Sequence, residues 1–367
     1  MLKQEEIDAL PTILDVVERI SKMENDALLR SGVTIFPGDA FRDEGRYSFV
    51  SEKWDRNVVR LMPMSQTPYT FYRGQSRYYE QCLPSLFRKK ANGEHPTEVD
   101  IAYNRLKICE FELLLATHPV FCELSNNISV NPVALAQHYG LTTEYLDITN
   151  SKWVAAFFAS TWYDNNTDTY HPVGRDFCEG YGVMYISKPY GETGINEDFF
   201  EKNGVIGYQY FDRPTKQSSF GYRMQPGEDF NDSPYFEKIF FRHDMEASQI
   251  VYDMSYKQHR FIPNDSLSKL ARQIAESKEI TRRAHYLCWE RFFSDKEPKF
   301  LDDVCKAKGL VIREYNEPVA RFTEEELAAD WKAWNEYGRT DLQSRILPPV
   351  VVTTLNLGNK NERNSLT

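Results

Sequence analysis

The sequence predicts an α+β fold: a mixed β core with flanking helices, extended by helices at both ends. Two observations lead there. Apolar residues recur at helical spacing near both ends, while the middle holds short strand-like runs broken by Gly, Pro and Asn. These runs do not alternate regularly with helices, and neither a G-x-G-x-x-G nor a Walker motif occurs. A classical dinucleotide-binding fold is therefore disfavoured. The 367 residues are 41% hydrophobic and 14% aromatic, enough to build a sizeable core, which excludes global disorder.

Residues 5–30 read as two amphipathic helices broken at Pro11, with Ile13, Leu14, Val17 and Ile20 on the apolar face. The turn-rich SGVTIFPGDAFRDEGR follows, and then TPYTFYRG, expected as a strand. Residues 98–118 return to helical spacing through Ile101, Leu106, Phe111 and Leu114. In NPVALAQHYG, Asn131 caps a helix, Pro132 takes its first position and Gly140 stands just past its end. TEYLDIT alternates as a strand, with Tyr145, Asp147 and Thr149 on one face and Leu146 and Ile148 on the other. Asn150 is expected to cap SKWVAAFFAST, a helix whose buried stripe is Trp153, Val154, Phe157 and Phe158. GYGVMYIS reads as a buried strand, residues 190–234 as long loops, and FEKIFF and ASQIVYDMS as two further strands. From 266 to 340 the pattern is helical, and the last twenty residues are polar and expected to fray. The expected division is a 1–64 N-terminal helical extension, a 65–260 central domain, a 261–345 C-terminal helical subdomain and a 346–367 polar tail.

The net charge of −10 argues against a broad nucleic-acid surface while leaving room for a local basic groove. MLKQEEIDALPTILDVVERI lacks the basic stretch and apolar core of a secretory leader. No apolar run approaches the ~18 residues that cross a bilayer, so no membrane partner is expected. Six cysteines without a C-x-x-C pair fit reduced thiols in a cytoplasmic protein. The seven histidines are scattered, and H-E-x-x-H, G-x-S-x-G and EF-hand patterns do not occur, so no metal site is expected.

Polar chemistry concentrates in three places: Arg73-Gly74-Gln75, the unit from Gln137 to Thr149, and MEASQIVY. A buried arginine needs an anionic answer, and a glycine beside it lets another group approach the backbone. Arg73 therefore marks a pocket whose anion is either internal, Asp147 or Glu246, or a ligand. His138 stands near a helix C-terminus, where it complements the dipole or serves as a base. Asp147 and Thr149 either meet a ligand or tie down the next helix. Gln249 is a satisfied buried amide or a ligand contact. FRKK at 87–90 is a solvated face or a phosphate track.

Taken together, FYRGQ, LPSLFR, ALAQHYGLTTEYLDITNSKWVAAFFA and ASQIVY resemble the FRG domain family, over residues 65–255. The chain departs from that family's usual residues at Tyr145, Ile148, Ser151-Lys152 and Ile250, the last standing where a glycine would leave a ligand more room. The motif order is in turn similar to that of ADP-ribosyltransferases. Those enzymes place Arg-Gly or His-Gly on a first strand, a Ser/Thr-bearing strand before a helix, and a carboxylate or amide on a later strand.

This second resemblance implies an ADP-ribosyltransferase-like mixed β core with NAD as substrate. It implies Arg73, Thr149, Glu246 and Gln249 as catalytic residues, and Tyr72, Arg73, Gly74, Gln75, His138, Tyr139, Tyr145 and Asp147 around the NAD. Cleaving the nicotinamide–ribose bond passes through an oxocarbenium-like state, as in glycoside hydrolysis. It needs an anion or acceptor at the ribose, a cation at the diphosphate and aromatic walls around the departing ring. Arg73 would grip phosphate through its planar fork, and Tyr72, Tyr139 or Tyr145 would stack on the ring. Gln249 acts at the ribose by motif position, Glu246 by chemistry; on a strand the two would face opposite ways.

The expected function is NAD-dependent ADP-ribosylation by a toxin of a toxin–antitoxin or phage-defence module. Nucleic acid is the favoured target, single-stranded RNA ahead of DNA, motivated by aromatic and basic residues at 77–90 and in TRRAHYLCWERFF. An antitoxin-like protein partner is expected at the C-terminal helices. The alternatives are a protein-targeting transferase and a non-catalytic FRG module that binds a nucleotide or a partner.

Overall fold

Pro11 separates helix α1 (Gln4–Asp8) from α2 (Ile13–Ser31), because a proline N–H is missing and cannot continue the ladder. Thr12 and Asp15 then cap α2 reciprocally: Asp15 N donates to Thr12 Oγ1 and Thr12 N to Asp15 Oδ2. The structure, a computed structural model, describes residues 2–31, 47–53, 59–63, 70–187, 203–263, 265–315, 317–344 and 346–347. Most of the polar tail thus lies outside the described residues. So do 190–202 of the stretch expected as loops.

Strands β1 (Tyr47–Lys53) and β2 (Val59–Pro63) pair antiparallel, a ribbon in the segment expected to be a helical extension. β3 (Tyr72–Gln75) follows. Thr97 and Asp100 form the capping box of α3 (Glu98–Leu115), and His118 caps α4 (Pro119–Ser125). Helix α5 (Pro132–His138) starts and stops where its sequence signals stand. Asn131 Oδ1 accepts from Val133 N and Ala134 N, and Gly140 takes φ +80°.

β4 (Tyr145–Thr149) leads into α6 (Lys152–Ser160). The cap of α6 is Ser151, not Asn150, since Asn150 N is still engaged with Ser218 O at the strand end. α6 runs without a loop into β5 (Thr161–Asp164), which forms a hairpin with β6 (Thr169–Pro172). The hairpin turns through Asp168, in the left-handed region at φ 55°.

β7 (Tyr181–Ser187) is buried throughout, as expected of GYGVMYIS. The loop reading of 190–234 is corrected by β8 (Asn203–Val205), helix α7 (Asp212–Lys216) and β9 (Ser219–Arg223). β8 and β9 are short and glycine-bearing, so their pattern is weak; neighbouring strands supply the order. β10 (Phe236–Arg242) follows.

The ASQIVYDMS segment is a helix, α8 (Met245–Met254), not a strand. Asp244 accepts from Ala247 N as its cap, and Ala247 and Val251, one turn apart, are buried against α6. Six strands form one sheet in the order β10-β7-β3-β4-β9-β8, with every pairing antiparallel. Helices α2, α6 and α8 cover one face through Ile13, Val17, Val154, Phe157, Ala247 and Val251. The other face buries Phe71, Leu146, Ile148, Tyr185, Phe220 and Phe230.

The C-terminal part consists of α9 (Ser266–Glu276), β11 (Glu279–Thr281), α10 (Arg282–Phe292), α11 (Lys299–Lys308), β12 (Val311–Arg313), α12 (Glu324–Ala333) and α13 (Arg339–Ser344). β13 (Ile346–Leu347) returns to pair parallel with β1. Helix α3 serves both halves. Its Phe111, Leu114 and Leu115 pack with α5 and α9, while Ala102, Leu106 and Cys109 pack with α10 and α11. Such a helix is buried on more than one side, and three buried charges, Arg105, Lys107 and Glu110, ride on it.

Glu110 accepts backbone N–H groups of Thr281 and Val319. Lys107 Nζ donates to Ile274 O at 2.9 Å and Ser277 O at 2.5 Å, closing the C-terminus of α9. Burial pulls the Lys107 pKa down to about 8. The folded pKa lies below the unfolded one, so the folded state binds fewer protons and stability rises as pH climbs from about 8 towards the free-lysine value. Urea titrations at several pH values should show this chain gaining stability over Lys107→Met between pH 8 and 10. A pH-independent difference would exclude the buried charge as its cause.

Candidate functional site

β3 and β4 lie side by side with Tyr72 opposite Thr149, and their ends open onto a cavity of about 470 Å³. That size falls within the ~300–1,000 Å³ usual for small-ligand sites. Arg73 and Gln75 from β3, Asp147 from β4 and Trp162 from the hairpin line it, with Arg77 and Arg88 from the segment after β3.

Arg73 Nη1 donates to the Asp147 carbonyl oxygen at 2.7 Å. Its Nε is buried and has no partner among the described residues. The charge is therefore positioned by a neutral acceptor and, among those residues, not cancelled by an ion pair. Arg88 Nε donates to Leu83 O at 2.8 Å. Partial desolvation of its guanidinium, and then the charge of Arg73, hold the Arg88 pKa below its ordinary value, so two guanidiniums feel each other across the site. Arg77, in contrast, is spent on Glu179 at 2.8 Å.

The segment carrying Tyr79 and Arg88 is held by the Asn231 amide, which donates to Tyr79 O and Glu80 O, and by Asp229, which accepts from Cys82 N. Aromatic rings form the opposite wall. Phe158, Trp162, Tyr163 and Tyr170 line it, and Trp162 is tilted onto His171 with centroids 5.2 Å apart. Gln258 Oε1 accepts from Tyr170 N at 2.6 Å and pins the hairpin from outside.

Asp147 is the one acidic residue among those lining the cavity. Its Oδ1 is buried, 3.3 Å from His138 Nε2, and its side chain is 39% exposed, which leaves Oδ2 as the oxygen facing the cavity. His138 is fully enclosed. Burial pulls its pKa down, with Asp147 opposing that shift. Its Nδ1 lies 3.2 Å from Gln217 Oε1, and Gln217 Nε2 donates to Phe261 O at 3.1 Å.

The residues singled out from the sequence fall into three groups. Arg73, Gly74, Gln75, Asp147, Thr149 and the floor residue Tyr72 are brought together around the cavity, with His138 directly behind Asp147. Within that group the Thr149 hydroxyl is used by the fold: it donates to Gln217 O at 2.7 Å and accepts from Ser151 N at 3.0 Å. The Tyr72 hydroxyl donates to Glu24 of α2, which also pairs with Lys152 at 2.5 Å.

Tyr139 and Tyr145 do not line the cavity. They are buried in the α3–α5–α9 core, Tyr139 donating to Asp265 Oδ2 at 2.9 Å and Tyr145 accepting from Asn131 Nδ2 at 2.7 Å. Glu246 and Gln249 are exposed on α8 and do not line the cavity; Gln249 Nε2 donates to Asp253 Oδ1 one helical turn on. The reason is the helix itself, which turns both outward while Ala247 and Val251 face in.

Sequence reasoning missed the hairpin aromatics and Gln217, and read Arg88 only within FRKK, as part of a solvated face or a phosphate track. Arg88 was visible within LPSLFR, and TWYDNNTDTY carries a hairpin pattern of aromatic runs about a polar turn. Gln217 had no local signal. Among the described residues, no group of three or more His, Cys, Asp or Glu is placed to hold a metal, and no helix is long and apolar enough to cross a membrane.

One comparison bears on this site. Residues 68–168 match the FRG domain model. No curated protein and no solved structure matches the chain. The FRG segment runs from just before β3 to the turn of the β5–β6 hairpin. It thus holds Arg73, Arg88, His138, Asp147 and Trp162, and leaves Gln217 and α8 outside.

Gly74 of the FRG segment has a different reason from the one expected. A Cβ built there would lie 1.8 Å from Ala155 O and 2.9 Å from the Ala159 Cβ, so the group that approaches this glycine is α6, not a ligand. Gly74→Ala should cost about 3 kcal/mol or more, because the obstacle is backbone, and lower the melting temperature accordingly. A variant as stable as the parent would show that α6 can move away from β3.

Proposed function

We propose that the FRG cavity binds a dinucleotide, NAD, and that the chain transfers ADP-ribose from it. The observation that carries this reading is Arg73: a guanidinium with a free Nε, beside a second arginine without an ion pair among the described residues, in an open cavity. Two planar donors converging on one space suit a diphosphate better than a single carboxylate. The Trp162, Tyr163 and Phe158 wall is suited to a flat ring, and Asp147 stands as the anion for a cationic ribose. In this arrangement Asp147 takes the role expected of Glu246 or Gln249.

The acceptor proposed is single-stranded RNA, and the setting a toxin of a toxin–antitoxin or phage-defence module. Its support is the rim of the cavity, where Tyr79 is 49% exposed beside Arg77 and Trp162 is 39% exposed. A second reading, an FRG module that binds a nucleotide without turning it over, is favoured by Asp147 being the sole carboxylate of the lining.

Calorimetry with NAD and an assay of nicotinamide release separate the two. Arg73→Gln should weaken NAD binding about 10- to 100-fold, the worth of one charge-assisted contact. Asp147→Asn should bind NAD within about 3-fold of the parent and release nicotinamide at least ~100-fold more slowly. NAD binding with no release by the parent would favour the non-catalytic module, and no NAD binding would remove the transferase reading.

A further inference from the structure

His138 and Asp147 confront each other with more lone pairs than protons. The orientation of Gln217 is fixed, because its Nε2 donates to Phe261 O and a flipped amide would set oxygen against oxygen. Gln217 Oε1 can only accept, so His138 Nδ1 carries the proton between them. A neutral His138 then has a bare Nε2, and that nitrogen lies 3.3 Å from Asp147 Oδ1. Neither atom has a hydrogen-bond partner among the described residues, and both are buried. Two acceptors held together in this way repel, and one added proton on His138 turns the repulsion into an ion-pair attraction.

We propose that Asp147 and His138 act as one base that takes the proton of the acceptor during transfer. This rests on the transferase reading above. Asp147 is the catalytic residue, since its Oδ2 reaches the cavity; His138 is a positioning residue behind it. As the bond from ribose C1′ to the nicotinamide nitrogen breaks, its electron pair leaves with neutral nicotinamide. A bond forms from C1′ to a hydroxyl or amine of the acceptor, and the proton of that group passes to Asp147. There it is shared between the carboxylate and His138 Nε2, and it is later lost to solvent through the cavity mouth. The acceptor class is therefore one that carries a removable proton at the attacking atom, water included.

Charged and titratable groups around the pair set its working range. Arg213 of α7 disfavours a proton on His138, and the Tyr170 phenol of β6 is held neutral, its pKa pushed up to about 12 by burial; Arg73 of β3 and Arg88 line the same cavity as Asp147. A resting base at neutral pH follows, because burial disfavours imidazolium.

Two measurements on the whole chain test this. The first is the pH profile of nicotinamide release from NAD with total RNA as acceptor pool. The rate should fall about tenfold per unit below the pKa of the pair. In His138→Gln that limb should move by at least about one unit, and kcat should drop about 10- to 100-fold with KM for NAD within about 3-fold. The second, independent of turnover and of the variant's folding, is ¹⁵N NMR of the parent histidines. His138 should keep Nδ1 protonated throughout and gain its Nε2 proton only as pH falls.

An Nε2 proton present from pH 5 to 9 would mean a permanent ion pair and would overturn the shared base, as would a His138→Gln profile matching the parent. Should the parent release no nicotinamide at all, the transferase reading fails together with the role of the base in it. The NMR titration then tells that failure apart from an error in the proton assignment.

Discussion

The contact between β3 and α6 over Gly74 is the constraint on which the site depends. A strand and a helix can approach until backbone meets backbone only where no side chain stands between them, and Gly74 is set against Ala155 O with no room for a methyl group. That approach leaves Arg73, the preceding residue, directed across the sheet to the Asp147 carbonyl. It also carries Ser151, the cap of α6, to the end of β4, where Thr149 holds its N–H. The arginine, the aspartate and the start of the helix are thus placed by one packing event.

Electrostatics within the cavity follow from what was left unpaired. Among the described residues, many surface arginines are neutralised, as Arg291 is by Glu112 and Arg339 by Glu123. Arg73 and Arg88 meet, among the described residues, carbonyl oxygens, which orient a guanidinium without cancelling its charge. On a protein of net charge −10 such a pair makes a local positive well, with the total charge saying nothing about it. The rigidity needed to keep it open comes from backbone-directed amides, Asn231 on one rim and Gln258 on the other. Gln258 closes a run of three left-handed residues, Tyr256, Lys257 and Gln258, a costly conformation for side chains with a Cβ.

Helix α3 couples this site to the C-terminal helices. One side of it packs on α5, the helix that ends in His138, and the other on α10 and α11. Buried Arg105 of the same helix meets Glu144 at 2.6 Å, immediately before β4. A buried pair of this kind is worth little as net stability, but losing one partner strands the other, so it fixes the register of β4 against α3.

Local signals were sufficient wherever the backbone itself needed a particular residue. Pro11, the Asn131-to-Gly140 helix and the buried strand at 181–187 could all be read from spacing and caps, whereas the partner of Arg73 stayed open between Asp147, Glu246 and a ligand. The assignment of ASQIVYDMS to a strand failed because its four-residue alternation also fits one face of a helix, and the cap at Asp244 decides between them. Tyr139 and Tyr145 were read towards a ligand, yet packing turned both into the core. Sequence by itself determined the residue types of the site and the elements that carry them. Only the tertiary structure decided that Gly74 faces a helix, that Arg88 and the hairpin aromatics complete the cavity, and that Gln217 sets the proton on His138. Those are contacts between segments far apart in the chain, and no periodicity along one segment encodes the distance to another.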